Sequence, residues 1–255
     1  MKTDFIAAEI RENIGLITIN NPQTLNAVSD KMLQEIALQA VEYDQNNNVK
    51  VIILKGLEKS FAAGLDIKEL AANYSTAKSI IQEMQSDFLR LTQIKKPLIA
   101  LVSGFALGIG CEIALACDIV LATETAQFGF PEVSIGLLPC FGGCFSLTQR
   151  IGKAKAMDMI LSGRALVAEE AEKVGIISRI VDASSLEEEA IKLARRLIAL
   201  PQDALLSAKS VISSCANEQN NTLENLISLA FLDSSDFKNS LLHFAVQKPL
   251  SSKKA

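Results

Sequence analysis

Between residues 97 and 118 the chain reads PLIALVSGFALGIGCEIALACD, and few folds can hold that string. The apolar run 98–102, bounded by Pro97 and the Ser103-Gly104 pair, has the length and residue types of a buried strand. Gly104, Gly108 and Gly110 follow, and the pattern then predicts a helix over 111–116 that ends near Asp118. Glycines let backbone approach closely. A helix N-terminus leaves N–H groups without intrahelical acceptors, and these favour negative charge. Yet Glu112 sits just inside this apolar helix. Two readings are open: an acid suited to the dipole of a first turn, or an oxyanion-binding turn beside a catalytic carboxylate.

The segments around this stretch alternate strand and helix. Residues 5–10 and 14–20 read as strands around Glu12-Asn13. A helix follows from an N-cap at Ser29 to about Tyr43, then a strand over 49–55. Residues 61–66, FAAGLD, read as a turn of small residues. Residues 76–92 form an amphipathic helix with Ile80, Ile81, Met84, Phe88 and Leu91 at helical spacing. After the central stretch come a strand at 119–122, an irregular segment at 127–139 and a short helix opened by Gly142-Gly143. Helices at 153–161 and 168–174 and a strand at 176–181 complete this region. From Ser185 the pattern is helical: 185–200 with a capping box formed by Ser185 and Glu188, then 201–214, 222–232 and 234–246. This predicts a sheet-and-helix core over about residues 1–190 with a helical appendage.

Composition removes several functions. The 255 residues are 49 % apolar and carry a net charge of −4, with no basic cluster beyond Lys253-Lys254, which argues against nucleic acid as partner. Five cysteines (111, 117, 140, 144 and 215) form no metal-ligand grouping, and Cys140-x3-Cys144 has no second pair or nearby His, so zinc is not expected. They read as reduced thiols of a cytoplasmic protein. Lys2, Asp4 and Glu9 break any signal-peptide core, and no stretch has the apolar length of a membrane span. No dinucleotide fingerprint, phosphate loop or G-x-S-x-G is present. The single histidine, His243, falls in the last predicted helix and reads as a surface or packing residue.

Three stretches follow buried segments and could meet: the Ala63-Gly64 turn, the turn from Gly108 to Glu112, and Phe130-Pro131-Glu132. Two loops offering N–H groups together with two carboxylates would make an enolate-handling site. A thioester carbonyl gains negative charge when its β-carbon is attacked or its α-proton removed. Each N–H aimed at that oxygen lowers the barrier by roughly 3 kcal/mol.

These segments resemble the enoyl-CoA hydratase/isomerase, or crotonase, family. Residues 61–70, FAAGLDIKEL, resemble its first oxyanion motif, and 99–118 its second with the catalytic glutamate. Residues 127–132, QFGFPE, resemble the third, and 136–143 the Gly-rich turn that follows. The resemblance implies an α/β fold, a spiral of strand–strand–helix units over 1–190 and a helical trimerisation segment over 191–255. It implies a trimer or hexamer and an acyl-CoA thioester substrate. No membrane partner and no cofactor beyond the coenzyme A of the substrate are expected. The N–H groups of Ala63 and Ile109 would form the oxyanion hole, and Glu112 and Glu132 would be the catalytic acids. Substrate would be met by Ala62, Gly64, Leu65, Asp66, Ile67, Gly108, Phe130, Pro139, Cys140 and Phe141, with Lys59 and Lys68 near the coenzyme A phosphates.

Two glutamates favour water addition to a trans-2-enoyl thioester. The alternatives are an isomerase, a decarboxylase or dehydratase acting on a carrier-linked acyl group, and a non-catalytic thioester-binding scaffold. The chain departs from the family pattern at Ile109, Phe130, Cys140-Phe141 and Cys144-Phe145-Ser146, and Gln23 replaces a frequent lysine. The bulky residues would either crowd the acyl pocket or pack into the core. Some of the apolar surface of the tail (Ile191, Leu193, Leu197; Leu226, Leu229, Phe231) is expected to bury against neighbouring subunits.

Overall fold

The computed structural model describes residues 5–216 and, beyond them, Leu229, Leu232, Asp233, Lys238, Asn239, Leu241 and Leu242. Strands β1 (Ile6–Arg11) and β2 (Ile14–Ile19) form a hairpin. Glu12 and Asn13 turn it at φ 52° and 64°, the doubly left-handed turn that matches strand twist. Helix α1 (Asp30–Gln45) starts at Ser29, whose hydroxyl accepts the Met32 N–H at 3.2 Å. Then come β3 (Val51–Lys55), β4 (Ser60–Ala62), α2 (Ile67–Ala72) and α3 (Ala77–Thr92). The next unit is β5 (Leu98–Val102), β6 (Phe105–Leu107) and α4 (Ile109–Ala116). It is followed by β7 (Ile119–Ala122), β8 (Gln127–Gly129), a 3-10 turn over Pro131–Ile135, α5 (Gly143–Ile151) and α6 (Lys153–Ser162). Strand β9 (Ala165–Val167), α7 (Ala168–Val174), β10 (Arg179–Ile180), α8 (Leu186–Ile198) and α9 (Gln202–Ala216) complete the described elements.

Two sheets result, ordered β1-β2-β3-β5-β7-β10 and β4-β6-β8-β9. Each successive unit places its first strand in the large sheet and its second in the small one, in parallel with the unit before: β3 and β4, β5 and β6, β7 and β8. This is the strand–strand–helix spiral that the resemblance implies. The inner strands of the large sheet, β2, β3, β5 and β7, are buried on both faces, as their apolar runs require. Ile52, Leu54, Leu98, Ala100 and Val102 point into the main core, and the alternate residues Val51, Ile53, Ile99 and Leu101 into a second cluster.

That second cluster is covered by α8, through Ala190 and Ala194 with Ile191, Leu193 and Leu197 around them. The last three pack on this chain's own sheet and stay half-buried, so only part of each is left for a neighbouring subunit. Leu229 likewise is buried in the main core of its own chain. Most of the predicted helices at 222–232 and 234–246, with Leu226, Phe231 and His243, lies outside the described residues. Ser185 does not form the capping box: its hydroxyl donates to the Asp182 carbonyl at 3.2 Å. Strands β4, β6 and β8 occupy segments that read as turns or irregular chain. Three residues are too few to show a period, and only pairing across the small sheet makes them strands.

Asn26, which the sequence reading passed over, ties β2 to β4. It is fully buried at φ 58°, and its Nδ2 donates to the carbonyls of Ile19 (3.3 Å), Ser60 (3.0 Å) and Phe61 (3.1 Å). Its Oδ1 accepts the Asn21 N–H at 2.7 Å. Asn26→Ala leaves these groups buried without their partner and puts alanine in a left-handed conformation. The expected loss is about 2–3 kcal/mol of folding stability, read from urea unfolding. A change of less than about 0.5 kcal/mol would show that the tether is replaceable by local rearrangement.

Candidate active site

The site is assembled where α4 meets the end of β4. A side chain on Gly110 would place its Cβ 2.2 Å from the Ala62 carbonyl oxygen, so only glycine lets the α4 backbone lie against β4. Gly108 precedes the helix at φ 52° and is equally crowded. A Cβ there would lie 2.5 Å from Glu132 Oε1 and 3.7 Å from the Gly64 Cα. Gly64 belongs to the turn between β4 and α2. Its carbonyl accepts the Val28 N–H at 2.7 Å, and Asp66 N–H returns a bond to the Val28 carbonyl at 3.0 Å. The three stretches that the sequence left unconnected thus converge on Gly108.

Glu112 occupies the first turn of α4 and is 2 % exposed. Its Oε1 accepts two backbone N–H groups, from Phe141 and Gly143, each at 2.8 Å. Gly143 is the first residue of α5, so the carboxylate also faces a helix N-terminus. Both features favour its ionised form. Glu132, 7 % exposed, stands on the 3-10 turn and reaches back over Gly108. Ile109 begins α4, and Glu112 N–H to Gly108 carbonyl is the first intrahelical bond, at 3.0 Å. The N–H of Ile109 therefore has no acceptor within its helix.

Cys111 lies beside both acids. Burial first, then the charges of Glu112 and Glu132, push its thiol well above the usual range, so it stays protonated and packs. Cys117 is pushed up to about 12, by burial and then by Asp118. The far end of α4 is held by Arg150 of α5, a residue that sequence reasoning missed. Its guanidinium donates to the Leu115 carbonyl at 2.6 Å and the Cys117 carbonyl at 2.8 Å. A basic residue in the last turn of α5 was the available signal, but its target lies on another helix.

A cleft of about 410 Å³ opens at this junction. Of the positions assigned from sequence, Ala63, Gly64, Leu65, Asp66, Ile67, Lys68, Gly108 and Glu132 line it. Gln23, noted in the sequence as replacing a frequent lysine, lines it too, as do Thr24, Ala27, Ser134, Ile135 and Leu137, not singled out from sequence. Ala62, Ile109, Phe130, Pro139, Cys140 and Phe141 are buried behind the lining, and Lys59 is exposed away from it. Phe130 packs at Gly143, and the Phe141 ring lies 5.6 Å from that of Phe88 on α3. Among the described residues no helix is long and apolar enough to cross a membrane, and no group of His, Cys, Asp or Glu is arranged to hold a metal.

Gly108→Ala forces a methyl group against Glu132 in a left-handed backbone position. Turnover on a 2-enoyl thioester is expected to fall about 100-fold or more, with a stability loss of only about 1–2 kcal/mol. Steady-state kinetics beside urea unfolding would separate the two. Wild-type turnover would mean that Glu132 need not stay where it is.

Residues 9–251 match the enoyl-CoA hydratase/isomerase family. A probable enoyl-CoA hydratase of Rhizobium meliloti is 41 % identical over 217 residues, 84 % of this chain and 82 % of the relative. The mitochondrial enoyl-CoA hydratase of Pongo abelii is 39 % identical over 83 % of this chain and 73 % of its own. The crystal structure of an enoyl-CoA hydratase subunit from Geobacillus kaustophilus superposes with a TM-score of 0.80 at 36 % identity, covering 95 % of this chain and 96 % of that one. The chain belongs to the enoyl-CoA hydratase/isomerase family.

Proposed function

We propose that this protein is an enoyl-CoA hydratase that adds water across the double bond of a trans-2-enoyl-CoA to give a 3-hydroxyacyl-CoA. The observation that carries the reading is the meeting of the Gly64 turn, the α4 N-terminus and Glu132 on Gly108. The thioester oxygen is held by the N–H groups of Ala63 and Ile109. Glu112, as carboxylate, takes a proton from water while the water oxygen bonds to C3. The electron pair of the double bond moves onto the thioester oxygen as an enolate. Glu132 then gives a proton to C2 and the carbonyl re-forms. One water is added in all, and proton exchange with solvent returns both acids to their starting forms. The chemistry rests on carboxylates and amides and asks for no cofactor beyond the coenzyme A of the substrate. Lys68, at the cleft rim, suits its phosphates.

Glu112→Gln and Glu132→Gln should each lower kcat on crotonyl-CoA by about two to four orders of magnitude, followed as loss of conjugated-thioester absorbance. Only Glu132 lines the cleft, which is the observation favouring an isomerase as second reading. Near wild-type hydration by Glu112→Gln, with Glu132→Gln inactive and 3-enoyl-CoA converted, would select it.

We further infer a homotrimer or hexamer, assembled through the helical segment that sequence places at 191–255 together with α6. Leu161 of α6 is 70 % exposed and Ile212 of α9 is 72 % exposed, with Met157 and Val211 beside them, and such apolar surface suits a subunit interface. Sedimentation should give three or six chains at micromolar concentration, and a stable monomer would remove the inference. No disulfide joins Cys111, Cys117, Cys140 or Cys144, which suits a reducing compartment, the cytoplasm. Recovery of the protein in an oxidising compartment on cell fractionation would contradict that placement.

A further inference from the structure

The Cys140–Phe141 peptide unit is engaged on both sides. Its N–H donates to Glu112 Oε1 at 2.8 Å, and its carbonyl accepts Nε2 of Gln85, on α3, at 2.8 Å. The carbonyl can only accept, so the amide group facing it is the donor. Gln85 is half-buried, one turn before Phe88, whose ring packs on Phe141. Cys140 Sγ adds a bond to the Leu138 carbonyl at 3.1 Å within the same loop.

We propose that Gln85 is a positioning residue for the hydration step, acting on Glu112 through the Cys140–Phe141 peptide. The proposal rests on the reading of Glu112 as the base. A peptide unit in a loop can rotate about its flanking bonds, and rotation would swing the Phe141 N–H off the carboxylate. The bond from Gln85 fixes the plane. It also polarises the amide, and a carbonyl that accepts a hydrogen bond makes its own N–H a stronger donor. Gln85, the peptide and Glu112 thus form one relay from α3 to α4, and Gly143 N–H is the second donor that holds Oε1 in place.

Removing the Gln85 donor weakens the Phe141 N–H bond to Oε1, one of the bonds that favour the carboxylate over the acid. The anion then survives less far into acid, so the acid limb of the kcat profile moves to higher pH. The titratable groups of the elements around Glu112 include Cys111 of α4, Cys140 of the loop that carries the Phe141 amide, Glu132 of the 3-10 turn, and Cys144 and Arg150 of α5, the last at the far end of α4. Helix α3 also carries Glu83 and Asp87, which act on Asp30 of α1. Strands β4 and β6 bring no carboxylate, amine or guanidinium.

The test compares Gln85→Met, which keeps the length and loses the donor, with Gln85→Glu, which at neutral pH sets an acceptor against the carbonyl. Crotonyl-CoA hydration is followed across pH, with Glu112→Gln assayed in parallel. Gln85→Met is expected to lower kcat about tenfold with KM within about twofold. Its acid limb should move to higher pH, and Gln85→Glu should be slower still at neutral pH. If Gln85→Met keeps wild-type kcat and acid limb while Glu112→Gln is inactive, the relay is overturned and the reading of Glu112 stands. Near wild-type hydration by Glu112→Gln overturns that reading and the relay with it. If Gln85→Met does not fold, Gln85→Glu decides: wild-type kcat at neutral pH overturns the relay.

Discussion

The site depends on one close approach, the α4 backbone against the end of β4 at Gly110 and Ala62. With a Cβ at Gly110 only 2.2 Å from a carbonyl oxygen, no other residue allows it. The approach fixes where the α4 N-terminus stands relative to the Ala63-Gly64 turn, and so fixes both proposed oxyanion donors together. Each belongs to a different unit of the spiral. Their spacing is therefore set by how β4 pairs with β6 in the small sheet, not by either loop alone. The small sheet is built of strands only three residues long. Its role is geometric: it lines up successive units so that their connecting turns open on one cleft.

A carboxylate in an apolar helix needs support, and α5 gives it from both directions. At one end its first N–H, from Gly143, meets Glu112. At the other its Arg150 meets the carbonyls that α4 leaves without partners. Burial weakens the guanidinium's hold on its proton, and the Asp118 carboxylate acts in the opposite sense. An arginine remains charged under such an influence and is well suited to holding helix C-terminal carbonyls. Helix α5 therefore sets α4 along its length, and the position of Glu112 follows from that pairing.

Much of this was legible in the chain. The strands 98–102 and 119–122 stand where the apolar pattern places them, because buried runs bounded by Gly, Pro or Asp leave little freedom, and the helix 168–174 ends at Gly175 as expected. The Ser29 cap was legible for a similar reason: a hydroxyl at that point has one local use. What was not legible is what depends on partners far away in sequence. Strands β4, β6 and β8 exist only by pairing with one another. Asn26 reads as one more polar loop residue until three carbonyls from two strands are brought to it. The same holds for α8. Its amphipathic pattern shows a face to be covered, but not that the partner is the second face of the sheet. The division drawn at 190 falls within that helix, whose Ala190 and Ala194 lie on opposite sides of the line and on the same sheet.

The departures at Phe130, Cys140 and Phe141 gain a physical sense from their burial. They stand behind the cleft and enclose Glu112: a Cβ on Gly143 would meet Phe130 at 2.6 Å, Glu112 Oε1 at 2.8 Å and Pro139 at 2.8 Å. An apolar wall of this kind lowers the local dielectric and strengthens each N–H bond to the carboxylate, while making any missing bond more costly. The wall and the amides are thus interdependent. Aromatic packing of Phe141 on Phe88 holds the loop that carries one amide, and the amides keep a charge tolerable inside the wall. A polar residue at Phe130 or Phe141 would offer Glu112 competing partners and loosen that loop. The bulky residues therefore bear on the orientation of Glu112, the base of the proposed hydration.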